Sequence, residues 1–181
     1  IMKPSFLQLD NWMNLLRSVS VYGIISCGIT FVMLTGRTDL SAGMMLTFLA
    51  TISCYFVTPG IENQLLAIVV PILLGAVGGL VNGILVGVIR LNSFVSTLGM
   101  MSLYTGFVLL FIKQSPSLFG SQDMTVYRFL GQGSILGIPT PVIILAIVAI
   151  VSSIVLRRTV YGARIYAVGS NASAARYSGI S

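Results

Sequence analysis

The sequence predicts an all-α, polytopic membrane protein. Three observations carry this. Of the 181 residues, 56% are hydrophobic and 8% charged. Mean hydropathy is +0.99. The charges are kept apart from long uncharged runs over 18–36, 40–61, 63–89, 91–112 and 129–156. Soluble domains carry roughly 25% charged residues. Each run is about 19 residues or longer, enough to cross a ~30 Å hydrocarbon core as a helix. About five transmembrane helices are predicted, over about 14–34, 41–58, 65–89, 93–112 and 139–156.

The first span follows a polar segment with Lys3, Asp10 and Arg17, and no cleavage site for a signal peptide follows a short apolar core. Ile1 in place of methionine and a polar end at Ser181 read as cuts in a longer chain. There is no histidine, and Cys27 and Cys54 lie inside predicted spans. They read as small apolar residues, and no metal site is expected.

TGRTDLSAG, 35–43, joins the first two spans with almost no linker. Asp39 and Ser41 are good helix N-cap residues. They read as a capped turn, or as a helix N-terminus that holds a polar ligand. The third span contains GAVGGLVNGILVG, with Gly75, Gly79, Gly83 and Gly87 at every fourth residue. Glycine in a helix interior costs about 1 kcal/mol relative to alanine. In lipid, small residues at this spacing let two helix backbones approach closely. The stripe therefore predicts helix packing. Asn82 lies near the same face as Gly75, Gly78 and Gly79, and an amide at membrane depth faces protein or water rather than lipid. It is either part of that packing or a hydrogen-bonding group on a solute path.

LNSFVSTLGM, 91–100, opens the fourth span with Ser93, Ser96 and Thr97. Hydroxyls can bond back to their own helix. Ser96 and Thr97 are read as back-bonded or as lining a path. The 113–138 loop is long and nearly uncharged, with Pro116 and Gly120 as breakers. A short helix over 123–131, capped by Asp123, is read as a re-entrant half-helix or an amphipathic surface turn. The stretch from 157, RRTVYGARIYAVGSNASAARYSGIS, is basic and rich in small residues. SNASAARYSG within it predicts a capped short helix over 171–178, ended by Gly179.

Spans alternate direction, so loops divide between two sides. One side holds Arg37, Arg90, Arg157, Arg158, Arg164 and Arg176; the other holds Lys3, Arg17, Lys113 and Arg128. The positive-inside rule puts the tail in the cytoplasm and the N-terminal end outside. It also explains the net charge of +6 without nucleic acid as a partner.

GITFVMLTGRTDLSAG (28–43), LLGAVGGLVNGILVGVIRLNSFVSTLGM (73–100), LGQGSILGIPTPV (130–142) and the tail together resemble the membrane subunit of ribose-type ABC sugar importers. These are the permeases of the second carbohydrate-uptake class, in the branched-chain-amino-acid-permease-like superfamily. Several blocks in the family's order carry the resemblance, nearly end to end. It implies a type II importer fold, like the cobalamin transporter's, of which this chain lacks the first helix and everything after the sixth. It implies that 1–156 is the membrane domain and 157–181 a cytoplasmic coupling loop. The family's Ala-x-Gly-x-Asn and Ala-Ala…Gly pattern maps onto Gly169, Asn171, Ala174, Ala175 and Gly179. Ser173 stands where glutamate is common, and Arg37 where glycine is usual. The 113–138 loop corresponds to the re-entrant gate.

Implied partners are a cytoplasmic ATP-binding subunit that carries ATP and Mg, a periplasmic sugar-binding protein, a second permease chain (identical or different), and membrane lipid. Alternating access would move a monosaccharide across the inner membrane. The chain has two lysines, Lys3 and Lys113, and no G-x-x-x-x-G-K-[ST] loop, so it binds no cofactor itself. Three alternatives stand beside this reading: a permease for branched-chain amino acids, a non-ABC secondary carrier or channel, and a scaffold. An intramembrane enzyme lacks support, since the spans hold no histidine and no acidic pair.

Overall fold

A computed structural model describes residues 9–57, 61, 63–111 and 125–180. The elements run α1 (Leu9–Leu34), α2 (Ala42–Val57), α3 (Gln64–Gly83), a π-helical turn (Ile84–Val88), α4 (Ser93–Phe111), α5 (Thr125–Gln132), β1 (Ser134–Ile135), β2 (Ile138–Pro139), α6 (Thr140–Arg158), α7 (Val160–Ser170) and α8 (Ala172–Tyr177). Four stretches are long and apolar enough to cross a membrane: Asn11–Leu34, Gln64–Val88, Ser93–Phe111 and Thr140–Arg158. The 16-residue α2 is apolar but shorter. Large apolar side chains such as Leu73, Leu80, Val95 and Leu110 cover the outside, as expected for surfaces wetted by lipid. The predicted 123–131 half-helix falls partly outside the described residues; α5 occupies the rest of it.

The chain divides into two units, 1–37 with 128–181 and 38–127. In the second unit α2 packs against α3 and α4. Gly75 receives the side chains of Leu49 and Met45, and Gly78 lies under the hydroxyl of Tyr104. The Tyr104 ring stacks on Phe48 with centroids 5.7 Å apart. Gly79, Gly83 and Gly87 have nothing within 4 Å. The contact row is thus Gly75, Gly78 and Asn82 rather than the four-residue stripe. The reason is helical pitch: a four-residue step winds about 40° around the axis, so the stripe leaves the contact face, whereas i, i+3, i+7 stays on it.

Pro71 lies inside α3. It has no N–H to donate to the carbonyl of Ala67, four residues back. Ser53 of α2 supplies that bond: its hydroxyl donates to the Ala67 carbonyl at 2.6 Å. Ala67 is 1% exposed, so no water could substitute. Tyr127 at the start of α5 lies with its hydroxyl 3.1 Å from Ser53 Oγ. Its ring packs with Phe56 on Val57 and Ala67. Gln64 Oε1 accepts from the backbone N–H of Val126 at 3.0 Å. The first turn of α5 is thereby held at the α2–α3 end of this unit.

In the first unit α1 packs against α6. Gly23 makes room for Leu145, whose methyls would come within 2.9 Å of a Cβ there. The hairpin turn between β1 and β2 uses Leu136 and Gly137, both at positive φ (52° and 81°), the twist that suits two-residue hairpins. Pro139 then caps α6, with Pro141 in its first turn.

Ser53→Ala should lower stability by about 1–3 kcal/mol, the penalty of an unpaired buried carbonyl. Thermal unfolding of the detergent-purified protein measures it. Adding Pro71→Ala restores an N–H to the same carbonyl and should recover much of the loss.

Candidate translocation and coupling sites

Asn82 sits on the face of α3 that meets α2, and it is 9% exposed. Its Nδ2 donates to Ser41 Oγ at 2.9 Å. The Ser41 hydroxyl donates to Asp39 Oδ1 at 2.6 Å, and the same oxygen accepts the Ser41 backbone N–H at 2.8 Å. Ser41 is fully buried, and its carbonyl accepts the first helical bond of α2 from Met45 N. The result is a directional chain, amide to hydroxyl to carboxylate, that ties the end of α3 to the start of α2. Thr38 N points at Ser93 Oγ at 3.5 Å, and Asn92 Oδ1 caps Phe94 N at 2.9 Å. The turns before α2 and before α4 therefore meet at one end of this unit.

The three predicted path residues have different surroundings. Asn82 is engaged with Ser41, but its Oδ1 is buried and has no partner. Thr97 is 2% exposed and donates back to the Ser93 carbonyl at 2.8 Å. Ser96 is 7% exposed, and its Oγ has no partner. Ser96 lines an open groove of about 510 Å³ between the π-helical turn and α4, walled by Leu85, Leu91, Val95, Met100 and Leu103. Sequence reasoning missed Tyr104, which is 5% exposed with an unpartnered hydroxyl. Its signal is the extra Gly78 beside the stripe, the room its hydroxyl occupies. Unpartnered polar atoms at membrane depth are expensive, and they gather where a path or a further protein surface runs. Among the described residues, no three of His, Cys, Asp and Glu gather to hold a metal.

The tail residues have structural partners. Thr159 is the only residue between α6 and α7, extended at φ −120°, ψ 155°. Its Oγ1 accepts from Gly162 N at 3.2 Å, capping α7. A Cβ on Gly162 would run into the Leu156 carbonyl, and one on Gly169 into the Leu34 carbonyl at the end of α1. Asn171 Oδ1 accepts from Ala174 N at 2.9 Å and caps α8. At the far end Ile180 N bonds the Ala175 carbonyl and Gly179 N the Arg176 carbonyl, with Gly179 at φ +79°. This pair of bonds is the Schellman stop. Ala175 is 4% exposed and faces inward, while Ser173, Ala174 and Tyr177 face outward, Tyr177 at 93%.

A family model described as the branched-chain amino acid transport system / permease component matches residues 11–181. The chain belongs to this permease family. The ribose import permease protein RbsC of Escherichia coli (strain K12) is 37% identical over 181 residues, covering 99% of this chain and 56% of the relative. The protein of the same name in Bacillus subtilis (strain 168) is 36% identical over 180 residues, 99% of this chain and 55% of the relative. The D-allose transport system permease protein AlsC of Escherichia coli (strain K12) is 33% identical over 175 residues, 97% of this chain and 53% of the relative. The permease chain thus spans about half the length of the curated relatives it matches. No solved structure matches it. Membership in the family fits a predominantly helical, multi-pass membrane chain.

Asn82→Ala and Ser41→Ala should be non-additive in unfolding free energy. Direct partners in one polar chain couple by about 0.5–3 kcal/mol, and a double-mutant cycle on the purified protein reads that coupling. Additive losses would show that the two side chains act separately.

Proposed function

We propose that this chain is the membrane-spanning part of an ABC importer permease that moves a monosaccharide across a bacterial inner membrane. The tail carries the reading. Residues 157–180 form a bracket whose glycines and asparagine hold α8 in place and whose outward face carries Ser173, Ala174 and the exposed ring of Tyr177. Such a face suits the groove of a cytoplasmic ATP-binding subunit, which would bind the ATP and Mg. In this reading Gly169, Asn171, Ala175 and Gly179 shape the coupling element, and Ser173, Ala174 and Tyr177 touch the partner. The basic side chains of the tail favour a cytoplasmic tail and an N-terminal end outside. Gly79, Gly83 and Gly87 present a bare helix face to a second permease chain or to the further helices that the longer relatives have room for. A periplasmic binding protein would deliver the sugar at the outer end. In this reading residues 1–156 belong to the membrane domain of a type II importer.

A neutral solute fits the interior. The runs 18–36, 40–61, 63–89 and 91–112 hold no charged residue. A coupled secondary carrier usually needs one within the membrane. Asn82, Ser96 and Tyr104 offer hydrogen-bonding groups of the kind a sugar takes, and Thr97 supports them from α4. Two relatives are named for ribose and allose, so a pentose or hexose is the substrate class to test first. The family description favours a second reading, a branched-chain amino acid as cargo. Uptake assays with labelled ribose and leucine separate the two.

Co-expression of the full-length protein with its ATP-binding subunit tests the coupling role. Ala174→Trp should abolish co-purification and sugar uptake while leaving thermal unfolding of the permease unchanged. Ala175→Trp should instead lower the unfolding temperature, because it faces inward. Retention of the ATP-binding subunit by Ala174→Trp would remove α8 from the interface.

A further inference from the structure

The first unit carries a groove of about 350 Å³ that the transport reading does not use. Val21 and Ile24 of α1, Pro141 and Ile144 of α6 and Leu130 of α5 wall it, and Arg17 lies at one end. Arg17, Val21 and Ile24 are spaced i, i+4, i+7 and share one face of α1. The trough therefore runs about 10 Å along the helix from a fixed positive charge into an apolar channel.

Arg17 has neutral partners. Nη1 donates to Asn14 Oδ1 at 3.0 Å and Nη2 to the Gln132 carbonyl at 3.0 Å. Its Nε is buried and unpartnered. No residue that lines the groove is acidic. The guanidinium stays charged at any physiological pH and has five N–H donors, of which these bonds use two. Trp12, 48% exposed, lies five residues before it on α1. Tryptophan favours the headgroup level of a bilayer, which places Arg17 near that depth.

A charge at headgroup depth above an apolar trough has the outline of one lipid. We propose that this groove binds an anionic phospholipid, with the phosphodiester on Arg17 Nε and the remaining Nη hydrogens and one acyl chain along Val21, Ile24 and Ile144. The phosphate supplies the missing anion, and the guanidinium fork suits it better than a point charge. The acyl chain covers apolar wall that the chain itself leaves open. A free phosphate would gain nothing from that wall.

The test is native mass spectrometry of the delipidated full-length protein, titrated with dioleoyl-phosphatidylglycerol and with dioleoyl-phosphatidylcholine. Both lipids carry the phosphodiester, but the choline ammonium offsets it in one of them, so wild type should bind the net anionic phosphatidylglycerol roughly tenfold more tightly. Arg17→Gln should make the two lipids equal, and Arg17→Lys should keep part of the preference. Arg17 also holds the end of α5, so a second variant leaves it in place. Val21→Trp fills the trough and should remove the tight phosphatidylglycerol without changing the unfolding temperature by more than a few degrees. Equal binding of both lipids by wild type would overturn the proposal. So would a preference that survives Arg17→Gln, or tight binding that survives Val21→Trp.

Discussion

Within a hydrocarbon surround a backbone carbonyl that loses its helical donor has no water to replace it. Pro71 creates that situation at Ala67, and Ser53 resolves it from the neighbouring helix. The bond fixes α2 against α3 at one height and in one rotation. The glycine row then decides how near the helices come, and the Asn82–Ser41–Asp39 chain repeats the tie at the other end of the pair. Two polar ties of one helix pair, one near each end, set register where apolar packing alone would let the helices slide. Tyr127 uses the first tie as a footing, so the start of α5 inherits its position from a proline that lies in another helix.

The glycines of the tail act by a different rule. At Gly162 and Gly169 the neighbour is a backbone carbonyl, which cannot swing aside as a leucine methyl can. Any side chain there must move a helix. Asn171 and Gly179 stop α8 at both ends, and a helix of six residues has little intrinsic stability without such caps. Family motifs in this region thus encode shape, and the outward side chains between them are free to suit a partner.

Much of the architecture was legible because the bilayer enforces it. Uncharged runs marked the apolar helices, though α2 is shorter than its run, and cap chemistry located α8 between Asn171 and Gly179. Three things were not legible. The face of Gly75, Gly78 and Asn82 was legible, but pitch carries Gly79, Gly83 and Gly87 away from α2, and Tyr104 over Gly78 had no signal of its own. Ser53 has no local pattern that points to Ala67, because that bond answers a proline eighteen residues away. Ser96 and Thr97 are adjacent in sequence and looked alike. A helix separates neighbours by about 100°, so one hydroxyl faces the groove and the other folds back on α4.

Thr159 alone separates α6 from α7, and Gly162 presses directly on the last turn of α6. There is no slack at that joint. In the coupling reading, a displacement applied at α8 would pass on to α6 as a crank turns its shaft, instead of being absorbed as a tether would absorb it. Gly169 against the end of α1 gives the crank a second bearing. In that reading the stiffness of this corner, more than the chemistry of any side chain on it, would set how faithfully motion at a docked partner becomes motion of the spans.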